Sequence, residues 1–201
     1  MTALTSRKRK QIRKERRRAR AQIDELEFVS GRDLGEQDTR LIETFYRQAT
    51  GAYGGIRYLR EGFFGALARL APERVWFARA RSGDHTCAGA LFLETPAALY
   101  GRYWGCVEER EFLHFETAYY AGIERCIERE IPLFEAGAQG EHKLLRGFSP
   151  CPTYSAHWIR HPALAQGVRR FLIQEAEAVQ QRMDALATAG PYRQVDEPPS
   201  T

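Results

Sequence analysis

Apolar residues recur along the chain with two different periods, and the changes between them predict the order of the elements. A repeat every three or four residues predicts amphipathic helices, while apolar or alternating runs of four to ten residues predict strands. The predicted helices cover residues 7–22, 36–50, 60–70, 112–129 and 162–189. The predicted strands cover residues 26–30, 75–80, 86–94, 97–106, 133–136 and 153–159.

This order predicts an α+β fold with a mixed sheet. Short turns join the second, third and fourth strands, which is typical of an antiparallel meander. The long helix of residues 112–129 lies between two strands, and such a β–α–β crossover implies a parallel pair.

The helix of residues 112–129 has a clear apolar stripe with one exception, Glu116. The stripe consists of Phe112, Phe115, Tyr119, Ile123, Cys126 and Ile127. The opposite face consists of His114, Thr117, Ala121, Arg125 and Glu128. At 100° per residue Glu116 falls within the apolar stripe, where an unpaired carboxylate is costly. It is therefore either a general base in a cleft or a buried partner for Arg102 or His157.

The final helix is predicted to bury one face on the same domain. That face consists of Leu164, Val168, Phe171, Leu172, Val179 and Met183. The residues after Gly190 are expected to form a disordered tail.

Charge is concentrated at the front of the chain. The net charge is +4, but residues 7–20 contain ten basic residues and one acid, so the rest of the chain carries −5. Ile12, Ala19 and Ile23 form a narrow apolar stripe on this basic helix. Two interpretations stay open: the helix binds a polyanion such as RNA or phospholipid head groups, or it packs its stripe on the body and is otherwise solvated.

Composition limits the class of protein further. With 201 residues and 43% hydrophobic content, the chain can form one compact domain with a full core. It has no apolar run of the ~20 residues that span a bilayer, and its start lacks a signal-peptide apolar region. The four cysteines are scattered without a Cys-x-x-Cys pair, which favours a reduced cytoplasmic protein and argues against a structural zinc site.

The residues that are candidates for catalysis or substrate binding lie between Tyr100 and His161. The loop of residues 137–143 follows the carboxyl end of a strand, where ligands often bind. Within it Glu141 could act as a base, His142 could carry a proton and Lys143 provides a positive charge. The alternative is a polar surface loop. The candidate residues of this region are Gln139, Glu141, His142, Lys143 and Arg146.

Two predicted strands add polar side chains. Arg102 shares a strand face with Tyr100 and Trp104, and an arginine among aromatic rings can hold a carboxylate or phosphate. Ser155 and His157 share a polar face of the later strand, which either lines a cleft or faces solvent. They do not form a triad, because neither has an identifiable orienting acid.

Five motifs stand out along the chain; they begin at Leu99 (LYGRYWG), Phe112 (FLHFE), Phe134 (FEAGAQGEHK), Arg146 (RGF) and Thr153 (TYSAH). These motifs resemble the FemAB-like family of N-acyltransferases, and the element order resembles the GCN5-related N-acetyltransferase (GNAT) fold. The resemblance implies acyl or aminoacyl transfer to an amine, from acyl-CoA or an aminoacyl-tRNA to an acceptor such as a peptidoglycan precursor. In such a reaction Glu116, Glu141 or His142 would be the catalytic base that deprotonates the amine. His114 is retained as a substrate-binding candidate because of the motif alone.

In that family the basic run joins two GNAT-like halves, so the chain resembles the second half. The expected organisation is a basic helix (1–24), a GNAT-like domain (25–189) and a tail (190–201). A missing first half or a homodimer would complete the site.

One departure concerns the donor. GNAT enzymes hold the CoA diphosphate with a glycine-rich loop at a helix N-terminus, whereas residues 105–112 contain one glycine and three acids. These charges oppose acetyl-CoA binding in the usual manner. A catalytically inactive module that binds RNA or a precursor is the alternative function.

Overall fold

The structure is a computed structural model that describes residues 4–52, 54, 56–137, 140–188 and 190–192. The chain divides into two compact units. The sheet unit is Lys10–Gln139, and the terminal unit combines Met1–Arg9 with Gly140–Thr201.

The elements follow the predicted order with few changes. The strands are β1 (Glu25–Ser30), β2 (Val75–Ser82), β3 (His85–Glu94), β4 (Ala98–Cys106) and β5 (Leu133–Glu135). The helices are α1 (Ser6–Arg20), α2 (Glu36–Ala52), α3 (Phe63–Leu70), α4 (Leu113–Phe115), a π-helical segment (Glu116–Tyr120), α5 (Ala121–Glu128), a 3₁₀ helix (Glu141–Arg146) and α6 (Pro162–Thr188).

The five strands form one sheet in the order β1-β2-β3-β4-β5. The first four strands pair antiparallel, and β5 pairs parallel with β4. The predicted α+β fold with a mixed sheet, the meander and the parallel crossover are therefore confirmed.

Helices cover both faces of this sheet. On one face, α2 and α3 pack Phe45, Tyr46 and Phe64 against Phe77 and Leu91. On the other face, the helix of residues 113–128 packs against a layer of small residues on β2 and β3, which includes Ala78, Ala80, Ala88 and Ala90. These small side chains let the helix approach the strands closely.

Close approach also explains two glycines. A Cβ on Gly122 would lie 2.6 Å from the Phe134 ring, and a Cβ on Gly105 would overlap the Phe45 ring. Only glycine therefore fits at these positions while the aromatic rings keep their places.

The helix of residues 113–128 is interrupted by a π-helical turn that begins at Glu116. The amide of Ala121 donates to the carbonyl of Glu116, five residues earlier. Because a π turn holds more residues than an α turn, the period of 3.6 does not continue through it. The predicted faces are accordingly wrong in part: Thr117, Ala121 and Arg125 are buried, while Ile127 is 73% exposed.

The buried Arg125 is compensated by its surroundings. Its guanidinium pairs with Glu94 and lies 3.6 Å from the centre of the Trp76 ring and 4.8 Å from that of Phe28. An ion pair and two cation–π contacts replace part of the hydration that the charge loses.

Helix α1 packs against the π-helical segment. Ile12 and Ala19 are buried, as the stripe predicted, and Glu15 between them accepts a hydrogen bond from the Tyr120 hydroxyl at 2.9 Å. For residues 10–20, the interpretation of a packed helix is confirmed. Ile23 extends the contact to the cluster of Ala80, Cys87, Ala88 and Leu113.

The same helix neutralises Glu116, whose side chain exposes 0% of its surface. Arg16 donates to its carboxylate from Nε at 3.0 Å and from Nη2 at 2.9 Å, and Arg20 donates from Nε at 2.6 Å. Both arginines also reach Glu124, at 2.6 Å from Arg16 and 3.0 Å from Arg20. We call these four residues the α1 clamp. The predicted partners Arg102 and His157 are wrong, because the compensating charges come from α1.

The pKa values within the α1 clamp follow from this pairing. Burial lowers the pKa of Arg16, but hydrogen bonds and charges from Glu116 and Glu124 outweigh it, so the net shift is upward. For Glu124, burial raises the pKa, but Arg16 and then Arg20 lower it below its ordinary value. Both shifts favour the charged forms.

The terminal unit is more open than the sequence predicted. The helix α6 contains no buried residue, and its apolar side chains include Leu164 and Phe171, each 58% exposed. The predicted burial of one face is therefore wrong. The predicted strand at residues 153–159 is also wrong, because no described strand pairs with this exposed segment.

The ends of the terminal unit meet. Leu4 forms an isolated antiparallel bridge with Tyr192, whose hydroxyl donates to the carbonyl of Gly147. The beginning of the expected tail is thus held in place, and residues 193–201 lie outside the described residues.

None of the described helices combines the length and apolar character that a membrane span requires. Within the described ranges, no group of three or more His, Cys, Asp or Glu side chains is arranged to hold a metal ion.

The α1 clamp leads to a stability prediction. The substitution Glu116→Gln removes the charge that holds two arginines, and we expect a loss of about 2–4 kcal/mol in the free energy of unfolding. The control Glu73→Gln removes the acid of a pair whose side chains are both 63% exposed, and should cost less than about 1 kcal/mol. Urea unfolding measures both, and equal losses would contradict a structural role for the α1 clamp.

Glu124 leads to a prediction about pH. Because its pKa is lowered in the folded state from an ordinary value of 4.5, its stabilising effect is complete above that value and disappears as pH falls through the folded pKa. The wild type should therefore be more stable than Glu124→Gln near neutral pH, with the difference vanishing in acid. Unfolding curves of both proteins across this range test it; a difference that persists at the acid end would exclude the ion pair as its cause.

Candidate functional site

The outer edge of β4 opens where β5 ends. The parallel pair comprises only three residue pairs, from Ala98↔Leu133 to Tyr100↔Glu135. From Gly101 to Cys106, β4 pairs with β3 on its inner side and has no strand partner on its outer side in the described part of the sheet. Unpaired backbone donors and acceptors at such an edge can bind an extended ligand.

A β-bulge lies where the edge opens. Leu91 pairs with Tyr103 and Phe92 pairs with Gly101, so Arg102 is the additional residue in β4. A bulge changes the alternation of side chains along a strand. The prediction that Tyr100 and Trp104 share a face is therefore wrong: Trp104 packs on the side of Leu99 and Phe92, and Tyr103 on the side of α2 and α3.

On the first of these faces, Trp104 and His114 form one side of the open edge. Their ring centres are 4.5 Å apart, and the His114 ring also contacts Phe115 and Tyr119 at 5.3 Å each. The indole N–H of Trp104 donates to Thr117 Oγ1 at 2.7 Å, and that hydroxyl donates to the carbonyl of Leu113 at 2.9 Å. The fully buried Thr117 thus fixes the indole relative to the helix that carries His114.

On the other face, hydroxyl groups meet beside Arg102. The Tyr58 and Tyr103 hydroxyls are 2.6 Å apart, and the Arg102 guanidinium lies 5.9 Å from the centre of the Tyr103 ring. Burial raises the pKa of Tyr103 to about 12, with a further upward contribution from the hydrogen bond to Tyr58. The Tyr46 hydroxyl accepts from the amides of Tyr58 and Leu59 and holds this segment in place.

The loop between β4 and α4 is acidic, but two of its three carboxylates are paired. Arg110 pairs with Glu108 at 3.2 Å, and Arg18 pairs with Glu111 at 2.7 Å. Two backbone amides that could have faced a ligand are already used, since Val107 donates to Cys87 and Leu113 donates to Arg110. The loop thus offers few of the donors that a diphosphate requires.

The loop ends in a strained residue. Phe112 has φ of 62°, in the left-handed region that is rare for a bulky aromatic side chain. Its ring is covered by the Arg18 guanidinium at 5.6 Å, so α1 holds the turn that leads into α4.

The three cysteines of the sheet unit are poor nucleophiles. Burial raises the pKa of Cys87, of Cys106 and of Cys126, the last to about 11. A thiol with a raised pKa contains little thiolate at neutral pH. Cys151 is exposed in the terminal unit.

The predicted site residues divide between the two units. Within the sheet unit, Trp104 and His114 are in contact and Arg102 occupies the bulge, whereas Glu116 is enclosed by the α1 clamp. Because no atom of Glu116 is accessible, the structure favours its role as a buried ionic partner over that of a general base.

The terminal unit contains the other candidates. His142, Lys143 and Arg146 lie on the 3₁₀ helix, where Arg146 Nη1 donates to the His142 carbonyl at 2.9 Å. Burial, followed by the charges of Arg146 and Lys143, lowers the pKa of His142, and burial lowers that of Lys143. Gln139 and the side chain of Glu141 lie outside the described residues.

The later pair of polar residues faces solvent. Ser155 Oγ and His157 Nε2 are 2.9 Å apart in an exposed segment, and no described acid orients the imidazole. Of the two possibilities left open for Ser155 and His157, the structure favours exposure to solvent over the lining of a cleft.

Sequence reasoning missed Thr117, Tyr58 and the clamp arginines. The apolar periodicity assigned Thr117 to the outer face, and the π turn reversed that assignment. The inward Glu116 did signal that a cation was needed, and the nearest surplus of cations is in α1; combining the two observations would have identified Arg16 and Arg20.

Comparisons with known proteins agree with this architecture. A possible acetyltransferase from Clostridium difficile 630 superposes with a TM-score of 0.50 at 13% identity, covering 69% of this chain and 100% of that chain. A ribosomal-protein-alanine N-acetyltransferase from Brucella melitensis biovar Abortus 2308 gives a TM-score of 0.47 at 15% identity, covering 69% and 99%. The sheet order and the first of these superpositions show an α+β fold of the GNAT type. No curated protein matches the chain.

A family model provides the assignment at the level of sequence. The model named FemAB-like, described as peptidoglycan biosynthesis/recognition, matches residues 1–194, which is nearly the whole chain. The match includes both α1 with its clamp arginines and the motifs around Trp104 and His114. The chain belongs to the FemAB-like family.

Proposed function

We propose that this protein is an N-acyltransferase that transfers an acyl or aminoacyl group to an amine of a peptidoglycan precursor. The observation that carries the proposal is the open outer edge of β4 from Gly101 to Cys106, beside Trp104 and His114. An acyl donor or a peptide acceptor contains amides, and an unpaired strand edge presents matching donors and acceptors to them. The family and the GNAT-like fold support the same reaction class.

The reaction proceeds by direct attack in a complex of both substrates. The amine nitrogen forms a bond to the donor carbonyl carbon, and the carbon–sulfur bond of a thioester or carbon–oxygen bond of an aminoacyl ester breaks. The amine proton passes to a base, and the leaving group takes up a proton. The raised pKa values of Cys87, Cys106 and Cys126 support a route without a covalent thiol intermediate.

The base in this proposal is His114. An imidazole has an ordinary pKa near neutrality, which suits transfer of the amine proton. The centre of the His114 ring lies 4.5 Å from that of Trp104, and Thr117 fixes the position of the indole. Glu116 is not proposed as the base, because it is fully buried and its carboxylate is paired with Arg16 and Arg20. His142 is the competing candidate in the terminal unit, where its lowered pKa favours the neutral imidazole.

The test is a transfer assay with two donors, an acyl-CoA and an aminoacyl-tRNA, and an amine-bearing muropeptide as acceptor. Mass spectrometry should detect the muropeptide with one added acyl or aminoacyl group. For His114→Gln we expect kcat to fall by about 10²–10⁴-fold, since that is the usual contribution of a general base.

The matched controls are His85→Gln, at the exposed start of β3, and His142→Gln. His85→Gln should retain wild-type activity. Full activity of His114→Gln together with loss in His142→Gln would reject His114 as the base. Absence of product from both donors would reject the transferase itself.

We infer a second candidate function, electrostatic binding of RNA, from the outer side of α1. Five cations there are exposed and have no acidic partner among the described residues: Arg7, Lys10, Arg13, Lys14 and Arg17. They are grouped within about a third of the helix circumference, which follows from 100° per residue. Their charges are available to phosphates, unlike those in the α1 clamp.

Binding of bulk tRNA across a salt series tests this function. With about five phosphate contacts, the logarithm of affinity should fall with the logarithm of salt with a slope of about −3.5 to −4.5. Joint substitution of Arg13, Lys14 and Arg17 by Gln should reduce the slope by about 2–3. Binding unaffected by salt or by these substitutions would reject the candidate.

A further inference from the structure

The bulge residue Arg102 is an exposed cation at the place where β5 leaves the sheet. It has no ion pair with any described residue. What distinguishes it from the other exposed arginines is its place on the open edge of β4, where its charge is available to an anion.

The surroundings of Arg102 provide further donors. The Tyr58 and Tyr103 hydroxyls share one hydrogen bond at 2.6 Å. Whichever hydroxyl donates in this pair, the proton of the other remains available to a ligand. A tyrosine phenol is protonated at neutral pH, and burial raises the pKa of Tyr103 further. The cluster therefore combines one positive charge with one O–H donor.

The geometry of the cluster is fixed from behind. Tyr46 is buried, and its hydroxyl accepts from the amides of Tyr58 and Leu59 at 2.9 and 3.0 Å. The Tyr46 ring also packs against those of Tyr58 and Tyr103, with centres 5.9 and 5.0 Å apart. The Tyr58 hydroxyl is thus held close to β4 although its side chain is largely exposed.

We propose that Arg102, Tyr58 and Tyr103 form a binding site for the carboxylate of a peptide or amino-acid substrate. The planar guanidinium matches a carboxylate with two parallel hydrogen bonds, and a tyrosine hydroxyl supplies a third donor. The site rests on the proposed function, since it assigns a carboxylate to one substrate of the transferase.

Charge favours a carboxylate over a diphosphate. The next loop along the chain carries Glu108, Glu109 and Glu111, and a single unpaired guanidinium balances one negative charge. The aromatic walls from Tyr58 and Tyr103 also suit the short apolar part of a peptide terminus.

The test is a titration with N-acetyl-alanyl-alanine and with its C-terminal amide, which differ only in the carboxylate. Binding is followed by NMR signals of the tyrosine rings in the full chain. We expect the acid to bind about tenfold more tightly than the amide, a difference typical of a charged hydrogen-bonded pair. Signals of Tyr58 and Tyr103 should shift with the acid.

Substitutions locate the site. Arg102→Gln should abolish the preference for the acid, and Tyr58→Phe should reduce it several-fold. Arg102→Lys should restore only part of the preference, because an ammonium group lacks the planar fork. The matched control Arg129→Gln removes another exposed charge of the sheet unit, at the C-terminal end of α5, and should bind the acid like the wild type.

Three results would overturn the proposal: equal binding of acid and amide, an unchanged preference in Arg102→Gln, or competition by inorganic phosphate at lower concentrations than the peptide acid. The titration contains no acyl donor, so its outcome is separate from that of the transfer assay. Loss of binding with intact transfer would reject the carboxylate site alone.

Discussion

The buried carboxylate of Glu116 is the constraint on which much of the sheet unit depends. A charge with 0% exposure requires compensation, and Arg16 and Arg20 supply it from a helix about a hundred residues earlier in the chain. This requirement makes residues 10–20 of α1 part of the fold rather than a solvated appendage. The partly exposed arginines do not have to lose all their hydration, which limits the cost of the arrangement.

The same position controls the helix that carries the candidate site. The π turn begins at Glu116 and brings both Glu116 and Thr117 to buried positions. Thr117 then accepts the indole hydrogen bond of Trp104, and Trp104 supports the His114 ring. Charge compensation on one side of the helix is thus linked to the placement of aromatic groups at the open edge of β4. π turns in the middle of helices are often found at functional sites. Here the turn has a structural consequence, because Glu116 and Thr117 within it connect the ion pairs of α1 to the position of Trp104.

Sequence periodicity predicted the element order because alternation and the 3.6-residue repeat are local properties. It failed where one residue interrupts the repeat. The bulge at Arg102 moved Trp104 to the other face of β4, and the π turn moved Thr117 and Arg125 inward. The π turn contains no glycine or proline that would indicate it, whereas Gly101 directly before Arg102 is a sequence signal for the bulge. Helix α6 shows a second limit of the method. Periodicity predicts which side chains of a helix share an apolar face, but not whether another part of the protein covers that face.

The cations of α1 have different roles that their summed charge does not reveal. The count of +9 for residues 7–20 suggests a uniform basic helix. In the structure, Arg16 and Arg20 neutralise Glu116 and Glu124, and Arg18 covers Phe112 and pairs with Glu111. The cations on the outer side are exposed and have no acidic partner among the described residues. The charge that stabilises the fold and the charge available to a polyanion thus occupy different sides of one helix, so substitutions can separate the two roles.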